Sequence, residues 1–214
     1  MSKVWAAVPV KEFTGAKQRL AGLLSPAQRE ALAAAMLEDV LAALARAPGL
    51  AGVMVNTVET RAKLMAQRYG ARVVSDGARD GHTGAVAAMG RILAKEGTAM
   101  LALPGDIPGV SAAEIDTVAS SCLPAPSFTI VPAHDALGSN AVLCNPPDAV
   151  ALRFGDNSYF PHLAAARCQG IEPTILRLPG IALDIDHPAD LRMFLQMAPR
   201  RITRTLGLLE QYGL

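Results

Sequence analysis

The chain has 214 residues, and its 20 Lys and Arg against 19 Asp and Glu give a formal net charge of +1. This balance, with only 4% aromatic residues, argues against nucleic-acid binding, which needs a basic stripe or stacking side chains. Its apolar runs fall short of the roughly 18 residues that span a membrane, and the N-terminus resembles a strand rather than a signal peptide, so we expect a cytoplasmic protein.

Strand-like and helical segments alternate along the first half of the chain. Apolar runs predict strands over 3–9, 51–57, 71–75 and 98–103, and amphipathic patterns predict helices over 26–46, 59–68 and 84–95. This alternation is typical of a parallel sheet covered by helices on both faces. The predicted fold class is therefore α/β, with a mostly parallel, doubly wound, Rossmann-like sheet in three layers.

The second half of the chain is less regular. The patterns predict helices over 111–121, 158–168 and 188–197 and strands over 127–132, 140–144 and 173–178. The strands at 127–132 and 140–144 are expected to be antiparallel neighbours, which adds a small antiparallel element. The tail 199–214 is expected to dock on the body or on a second subunit of a homodimer. Without a linker or a repeat, 1–214 is predicted to be one domain.

Asp106 is the first carboxylate after a predicted buried strand. The apolar run that ends at Leu103 is stopped by Pro104-Gly105, which forces a turn. Ligands of open α/β sheets bind just beyond the carboxyl ends of the strands. Asp106 is therefore a candidate for the chemistry of the site.

Asp184 and Asp186 form a second acidic group. Two residues apart, they point to the same side if the chain is extended, and with Asp106 they offer the hard oxygen ligands that Mg²⁺ prefers. The alternative is that they cap the helix predicted at 188–197, since acidic residues are favoured at a helix N-terminus. Composition and spacing leave both interpretations open.

The loop after the first strand carries three cations: Lys11, Lys17 and Arg19. Ammonium and guanidinium groups beyond a strand end can neutralise the oxygens of a triphosphate. The loop is not a Walker motif, because Gly-x-x-x-x-Gly-Lys-Ser/Thr is absent. The alternative is a solvated basic loop without a ligand.

Two hydroxyl groups are candidates for anion binding. Ser139 precedes the strand predicted at 140–144, and Gly155 with Ser158 forms a glycine turn into a helix, whose free N–H groups can bind an anion. The alternatives are an ordinary turn and an ordinary helix cap. His162 is predicted to be a packed or surface histidine rather than a catalyst.

Five ordered segments of the chain resemble the motifs of one family, the guanylyltransferases of coenzyme F-420 biosynthesis. The resemblance extends from residue 4 to about residue 192. The segments are Val8-Pro9-Val10-Lys11 with Ala16-Lys17-Gln18-Arg19-Leu20-Ala21, Leu103-Pro104-Gly105-Asp106-Ile107-Pro108, Gly138-Ser139-Asn140-Ala141, Phe154-Gly155-x-x-Ser158-x-x-x-His162, and Leu183-Asp184-Ile185-Asp186-x-Pro188-x-Asp190-Leu191.

The resemblance implies the fold of the sugar-phosphate and molybdopterin nucleotidyltransferases. It also implies transfer of GMP from GTP to a small phosphorylated carboxylic acid with release of pyrophosphate. The acid would be 2-phospho-L-lactate, phosphoenolpyruvate or 3-phospho-D-glycerate.

The resemblance also implies roles for particular residues. Lys17 and Asp106 would be catalytic. Mg²⁺ would be held by Asp106, Asp184 and Asp186, and the acceptor acid by Lys17, Ser139, Gly155 and Ser158. From charge and position, we assign Lys11 and Arg19 to the triphosphate.

The chain departs from the family's motifs in one place. The stretch Gly84-Ala85-Val86 aligns with Gly-Leu-Asn, so Val86 replaces a polar amide. We therefore assign the nucleotide to Thr83 and Gly84, with Thr83 or His82 as the substitute donor. Two alternatives stay open: a related nucleotidyltransferase for molybdopterin or a sugar phosphate, and a non-catalytic nucleotide-binding paralogue, which the departure at Val86 suggests.

Overall fold

The structure is a computed structural model that describes residues 3–155, 157–197 and 203–214. Its strands are β1 (Val4–Pro9), β2 (Gly52–Asn56), β3 (Arg72–Val74), β4 (Ala99–Ala102), β5 (Ser127–Pro132), β6 (Ser139–Asn145) and β7 (Thr174–Ile175). Its α-helices are α1 (Pro26–Leu44), α2 (Thr60–Arg68), α3 (Gly81–Lys95), α4 (Ala112–Ser120), α5 (Tyr159–Cys168), α6 (Pro179–Ala182), α7 (Pro188–Met197) and α8 (Arg204–Gln211). A short 3-10 helix covers Gln18–Leu20.

The described strands form one sheet in the order β3-β2-β1-β4-β6-β5-β7. The pairs β1–β2, β1–β4, β2–β3 and β5–β7 are parallel, whereas β6 runs antiparallel to both β4 and β5. The predicted parallel sheet with a small antiparallel element is confirmed. The strand predicted at 173–178 is shortened to β7, because Pro173 precedes it and Pro179 opens α6.

Side chains that alternate along the central strands separate two apolar layers. Ala6 of β1 and Leu101 of β4 pack with α1, α2 and α4, whereas Ala7 and Met100 of the same strands pack with α3 on the opposite face. Further along the sheet, α5 covers β5 and β6 on the α3 side. The three predicted layers are therefore confirmed, since successive strand residues point to opposite faces.

The first residues of two helices can be compared with the starts that the sequence predicts. Ser25 caps α1 in a capping box with Gln28, with Pro26 at the first helical position, as the sequence predicts. Helix α3 begins at Gly81, three residues before the predicted start. Thr83 consequently lies in its first turn.

The tail docks on the body of the same chain. Helix α8 lies against α1, and the buried Asp39 of α1 accepts hydrogen bonds from the N–H groups of Arg204 and Thr205, both at 2.9 Å. Leu209 is fully buried beside Met36. Residues 199–202 of the predicted tail lie outside the described residues. Among the described helices, none combines the length and apolar character needed to cross a membrane.

We expect Asp39→Ala to lower the free energy of unfolding by about 2 kcal/mol, because it leaves two N–H groups at the start of α8 without an acceptor. Denaturant unfolding measures the change, and hydrogen exchange in α8 locates it. Glu30→Ala on the same helix is the control, with a change within about 0.5 kcal/mol. Equal losses in both variants would contradict the capping role of Asp39.

Candidate functional site

A cleft of about 1350 Å³ lies beyond the carboxyl ends of β1 and β4. Because β6 is antiparallel to β4, the amino end of β6 lies at the same edge and brings Ser139 into the cleft. Ten of the eleven residues predicted for the site line this cleft: Lys11, Lys17, Arg19, Thr83, Asp106, Ser139, Gly155, Ser158, Asp184 and Asp186. The eleventh, Gly84, is not among the described lining residues.

A backbone hydrogen bond joins the two acidic segments. The N–H of Ile185 donates to the carbonyl oxygen of Asp106 at 3.1 Å. Leu183 and Ile185 are buried in an apolar cluster, while the side chains that alternate with them, Asp184 and Asp186, line the cleft. The separation of two residues thus places both carboxylates beside Asp106, as expected for extended chain.

The helix after this segment is capped by another residue. Asp190 accepts hydrogen bonds from the N–H groups of Asp186 at 3.0 Å and His187 at 2.7 Å. The carboxylates of Asp184 and Asp186 instead bond to Asn140 and Lys17. The interpretation of Asp184 and Asp186 as cap residues is therefore wrong, because Asp190 has that role.

Lys17 bridges two of the three carboxylates. Its Nζ lies 2.6 Å from both Asp106 Oδ2 and Asp186 Oδ1, and its side chain is only 9% exposed. Burial alone would lower the pKa of Lys17, but the two carboxylates outweigh it and raise the pKa above its ordinary value. Lys17 is therefore a buried ammonium rather than a member of a solvated loop.

The Lys17 ammonium also acts on its partner. Burial opposes ionisation of Asp186, yet Lys17 and the guanidinium of Arg19, 3.6 Å away, hold the pKa of Asp186 below its usual value. Lys11 and Arg19 themselves are exposed.

The backbone that presents Lys17 is strained and braced. Lys17 has φ 52° and ψ 43°, in the left-handed region that costs a non-glycine residue about 1–2 kcal/mol. Buried Arg29 holds both ends of the loop: its Nε donates to Ala16 O at 3.3 Å and its Nη1 to Leu24 O at 2.8 Å. Leu20, fully buried, anchors the middle of the loop. These contacts over-determine the conformation, as expected at a functional site.

Asn140 holds the third carboxylate. Its Nδ2 lies 3.0 Å from Asp184 Oδ1 and within 3.0 Å of the carbonyl oxygens of Ile181 and Ala182. Burial and the charges of Asp106 and Asp186 raise the pKa of Asp184, and the Asn140 hydrogen bond opposes that rise. The sequence gives Asn140 no role of its own, because nothing in its local pattern points to a partner 44 residues away.

The three carboxylates are candidate ligands for a hard cation. Asp106 Oδ1 is buried and has no hydrogen-bond partner among the described residues, which leaves a ligand oxygen unused. Within those residues no group of three His, Cys, Asp or Glu side chains is spaced to hold a metal ion, and the Lys17 ammonium lies between Asp106 and Asp186. The donor set and the unpaired oxygen are those that Mg²⁺ uses.

Two serine hydroxyls line the same cleft as the carboxylates. Ser158 Oγ donates to Ser139 Oγ at 3.2 Å, and Ser139 Oγ lies 3.0 Å from His162 Nδ1. In the part of the chain that the structure describes, the Ser158 side chain makes no cap bond to α5. Ser158 occupies the N-cap position of α5, and its hydroxyl bonds to Ser139 rather than to the helix backbone.

His162 is buried rather than exposed, with 1% of its surface accessible. Burial lowers its pKa to about 4, so the imidazole is neutral at pH 7. Its other nitrogen, Nε2, accepts a hydrogen bond from the N–H of Arg153 at 3.0 Å. The prediction of a packed histidine is confirmed.

The first turn of α3 also lines the cleft, through His82 and Thr83. Thr83 Oγ1 accepts from the N–H of Phe154 at 3.0 Å, and the ring of His82 packs on the ring of Phe154 with centroids 4.5 Å apart. Val86 is buried in the apolar core between α3 and the sheet. Gly84 packs against the side chain of Asp80. The substitution at Val86 therefore changes the core rather than the lining of the cleft.

Comparison with known proteins decides the family. The family model described as "Guanylyl transferase CofC like" matches residues 4–204. The chain belongs to this family. It is 38% identical over 213 residues to the phosphoenolpyruvate guanylyltransferase of Conexibacter woesei, covering 97% of this chain and 95% of that protein. It is 32% identical over 189 residues to the 2-phospho-L-lactate guanylyltransferase of Methanothermobacter thermautotrophicus, covering 88% and 82%.

A solved structure shares the fold of this CofC-like chain. A protein from Desulfovibrio desulfuricans G20, assigned to the nucleotide-diphospho-sugar transferases, superposes with a TM-score of 0.76 at 20% identity. The match covers 99% of this chain and 95% of that protein. The predicted nucleotidyltransferase fold is confirmed, and the family makes the CofC-like chain a nucleotidyltransferase.

We expect Arg29→Met to loosen the loop that carries Lys17, because it removes the donors to Ala16 O and Leu24 O. Hydrogen exchange of residues 14–24 should become faster by about tenfold, the equivalent of one lost hydrogen bond. Arg46→Met, which removes an exposed guanidinium just after α1 that donates to Ala42 O in the last turn of that helix, is the matched control. Unchanged exchange at 14–24 in Arg29→Met would show that the loop does not depend on this side chain.

Proposed function

We propose that this CofC-like protein transfers GMP from GTP to a small phosphorylated carboxylic acid and releases pyrophosphate, in coenzyme F-420 biosynthesis. The observation that carries the proposal is the arrangement of one cleft. A cluster of Lys17 with the carboxylates of Asp106 and Asp186 lines the same cleft as a pair of serine hydroxyls, Ser139 and Ser158. The Lys17 cluster suits phosphates with their counter-ions, and the serine pair suits a carboxylate.

The size and charge of the cleft support two substrates. Pockets for one small ligand measure about 300–1000 Å³, and this cleft is larger at about 1350 Å³. Lys11 and Arg19 provide exposed cations in the loop after β1, where a triphosphate would meet them. We assign the nucleotide to this part of the cleft and to Thr83, which lines the same cleft.

The carboxylates of Asp106, Asp184 and Asp186 would hold Mg²⁺. When bound, the ion neutralises charge on the phosphate oxygens of the two substrates. Asp106 Oδ1 is ready for this role, since it lacks a partner among the described residues. Lys17 would turn from the carboxylates to a phosphate, where its ammonium offsets the charge that develops during transfer.

The reaction needs no covalent intermediate with the protein. An oxygen of the acid's phosphate forms a bond to the α-phosphorus of GTP, and the bond from that phosphorus to the departing pyrophosphate breaks. The chain contributes orientation and charge, which dominate phosphoryl-type transfers. We assign the acid's carboxylate to Ser139, Ser158 and the backbone of Gly155, whose φ of 147° favours glycine.

The competing interpretations are weaker. Relatives that act on molybdopterin or sugar phosphates are expected to carry a Gly-Gly loop after the first strand, and residues 9–20 contain a single glycine. A non-catalytic paralogue was suggested by Val86, but this residue lies in the apolar core.

Purified protein with GTP, Mg²⁺ and each acid in turn should release pyrophosphate with one of 2-phospho-L-lactate, phosphoenolpyruvate and 3-phospho-D-glycerate. These acids differ by a methyl group, a double bond or a hydroxyl, so the preferred acid should exceed the others by about tenfold or more in kcat/KM. CTP in place of GTP tests the base. Absence of pyrophosphate with every combination would overturn the proposal.

Asp184→Asn should lower pyrophosphate release by at least about 100-fold, the cost of removing a group that stabilises transition-state charge. Chelation of divalent ions should give a similar loss in the wild type and no further loss in the variant. Asp76→Asn, an exposed carboxylate paired with Arg91, is the control and should retain activity. Full turnover by Asp184→Asn would remove its metal role.

A further inference from the structure

We propose that His162 is a positioning residue that makes the Ser139 hydroxyl a hydrogen-bond donor to the carboxylate of the acceptor acid. The identity of this ligand rests on the proposed function. His162 is not among the described residues that line the cleft, so its effect on the substrate passes through Ser139.

The tautomer of His162 follows from its backbone partner. The N–H of Arg153 can only donate, and it points at Nε2 from 3.0 Å. Nε2 must therefore be the unprotonated nitrogen of a neutral imidazole, and the proton lies on Nδ1. Nδ1–H then donates to Ser139 Oγ at 3.0 Å.

The hydrogen of Ser139 follows from counting its bonds. A hydroxyl oxygen has two lone pairs and one hydrogen. The lone pairs of Ser139 Oγ accept from His162 Nδ1–H and from the Ser158 hydroxyl. Its own hydrogen is left to point into the cleft that Ser139 lines. An oxygen whose lone pairs are both used presents only a donor, which suits an anionic acceptor such as a carboxylate.

The imidazole is held so that this direction cannot easily reverse. Phe154 packs edge-on against the His162 ring, with centroids 5.2 Å apart. The ring joins three segments: the start of β6 through Ser139, the loop before α5 through Arg153, and α5 itself. Because both ring nitrogens are engaged, a 180° flip of the ring would put the carbons Cδ2 and Cε1 in the places of Nδ1 and Nε2 and lose both bonds.

Two amide variants separate positioning from packing. His162→Asn places an NH₂ donor near the position of Nδ1, whereas His162→Gln reaches the position of Nε2 and keeps an acceptor for Arg153. We expect His162→Gln to raise KM for the acid by about tenfold or more, the cost of a lost hydrogen bond to a charged group. KM for GTP should stay within about twofold, and His162→Asn should restore most of the affinity for the acid.

Ser139→Ala should match His162→Gln, and the double variant Ser139→Ala/His162→Gln should bind the acid no more weakly than Ser139→Ala alone, because both changes remove one interaction. Thermal unfolding of each variant monitors folding. Equal effects of the Asn and Gln variants, or an equal rise in both KM values, would assign His162 to packing and overturn the inference.

A second readout does not depend on turnover. ¹⁵N NMR of histidine-labelled protein should show His162 protonated at Nδ1 and not at Nε2, with the resonance assigned by its loss in His162→Gln. The opposite tautomer would overturn the inference and leave the proposed function intact. If no acid supports turnover, the proposed function fails, while this spectrum still tests the role of His162.

Discussion

Repulsion among three carboxylates in one partly buried cleft is the constraint on which the rest of the site depends. The charges of Asp106, Asp184 and Asp186 repel one another unless a cation lies nearby, and the Lys17 ammonium lies 2.6 Å from two of them. The left-handed backbone at Lys17 is the local cost of placing an ammonium there. Arg29 and the buried side chains of the loop stabilise this backbone, so Lys17 keeps its strained conformation.

The reversal of one strand brings the two halves of the cleft together. In a fully parallel sheet, only strand ends and the turns that follow them would face the cleft. Because β6 runs antiparallel to β4, a strand start joins that edge, and Ser139 and Asn140 arrive with it. Asn140 then contacts the acidic side through Asp184, while Ser139 belongs to the hydroxyl side. Neighbouring residues of one strand thus contact both groups of side chains in the cleft.

Short-range sequence patterns were enough to predict most strands and helices and most of the residues that line the cleft. Alternation of strands and helices and the Ser25-Pro26 start of α1 are short-range signals, and they predict the observed elements. The separation of Asp184 from Asp186 is also a short-range signal, but it left two interpretations open. Partners distant in sequence were not predictable. Whether Asp184 and Asp186 faced the cleft or capped a helix depended on Asp190 and Asn140, which tertiary contacts alone bring into place. Val86 aligned with a polar motif residue, yet its burial is decided by the packing of α3.

The docking of α8 links the far end of the chain to the cleft. Leu209 of α8 belongs to the same apolar cluster as Leu183 and Ile185, whose backbone carries Asp184 and Asp186 on its other side. The C-terminal helix thus packs behind the acidic segment, although it contributes no side chain to the described cleft lining. Removal of α8 would therefore weaken the packing that holds Asp184 and Asp186 in place, although it would remove none of the described cleft residues.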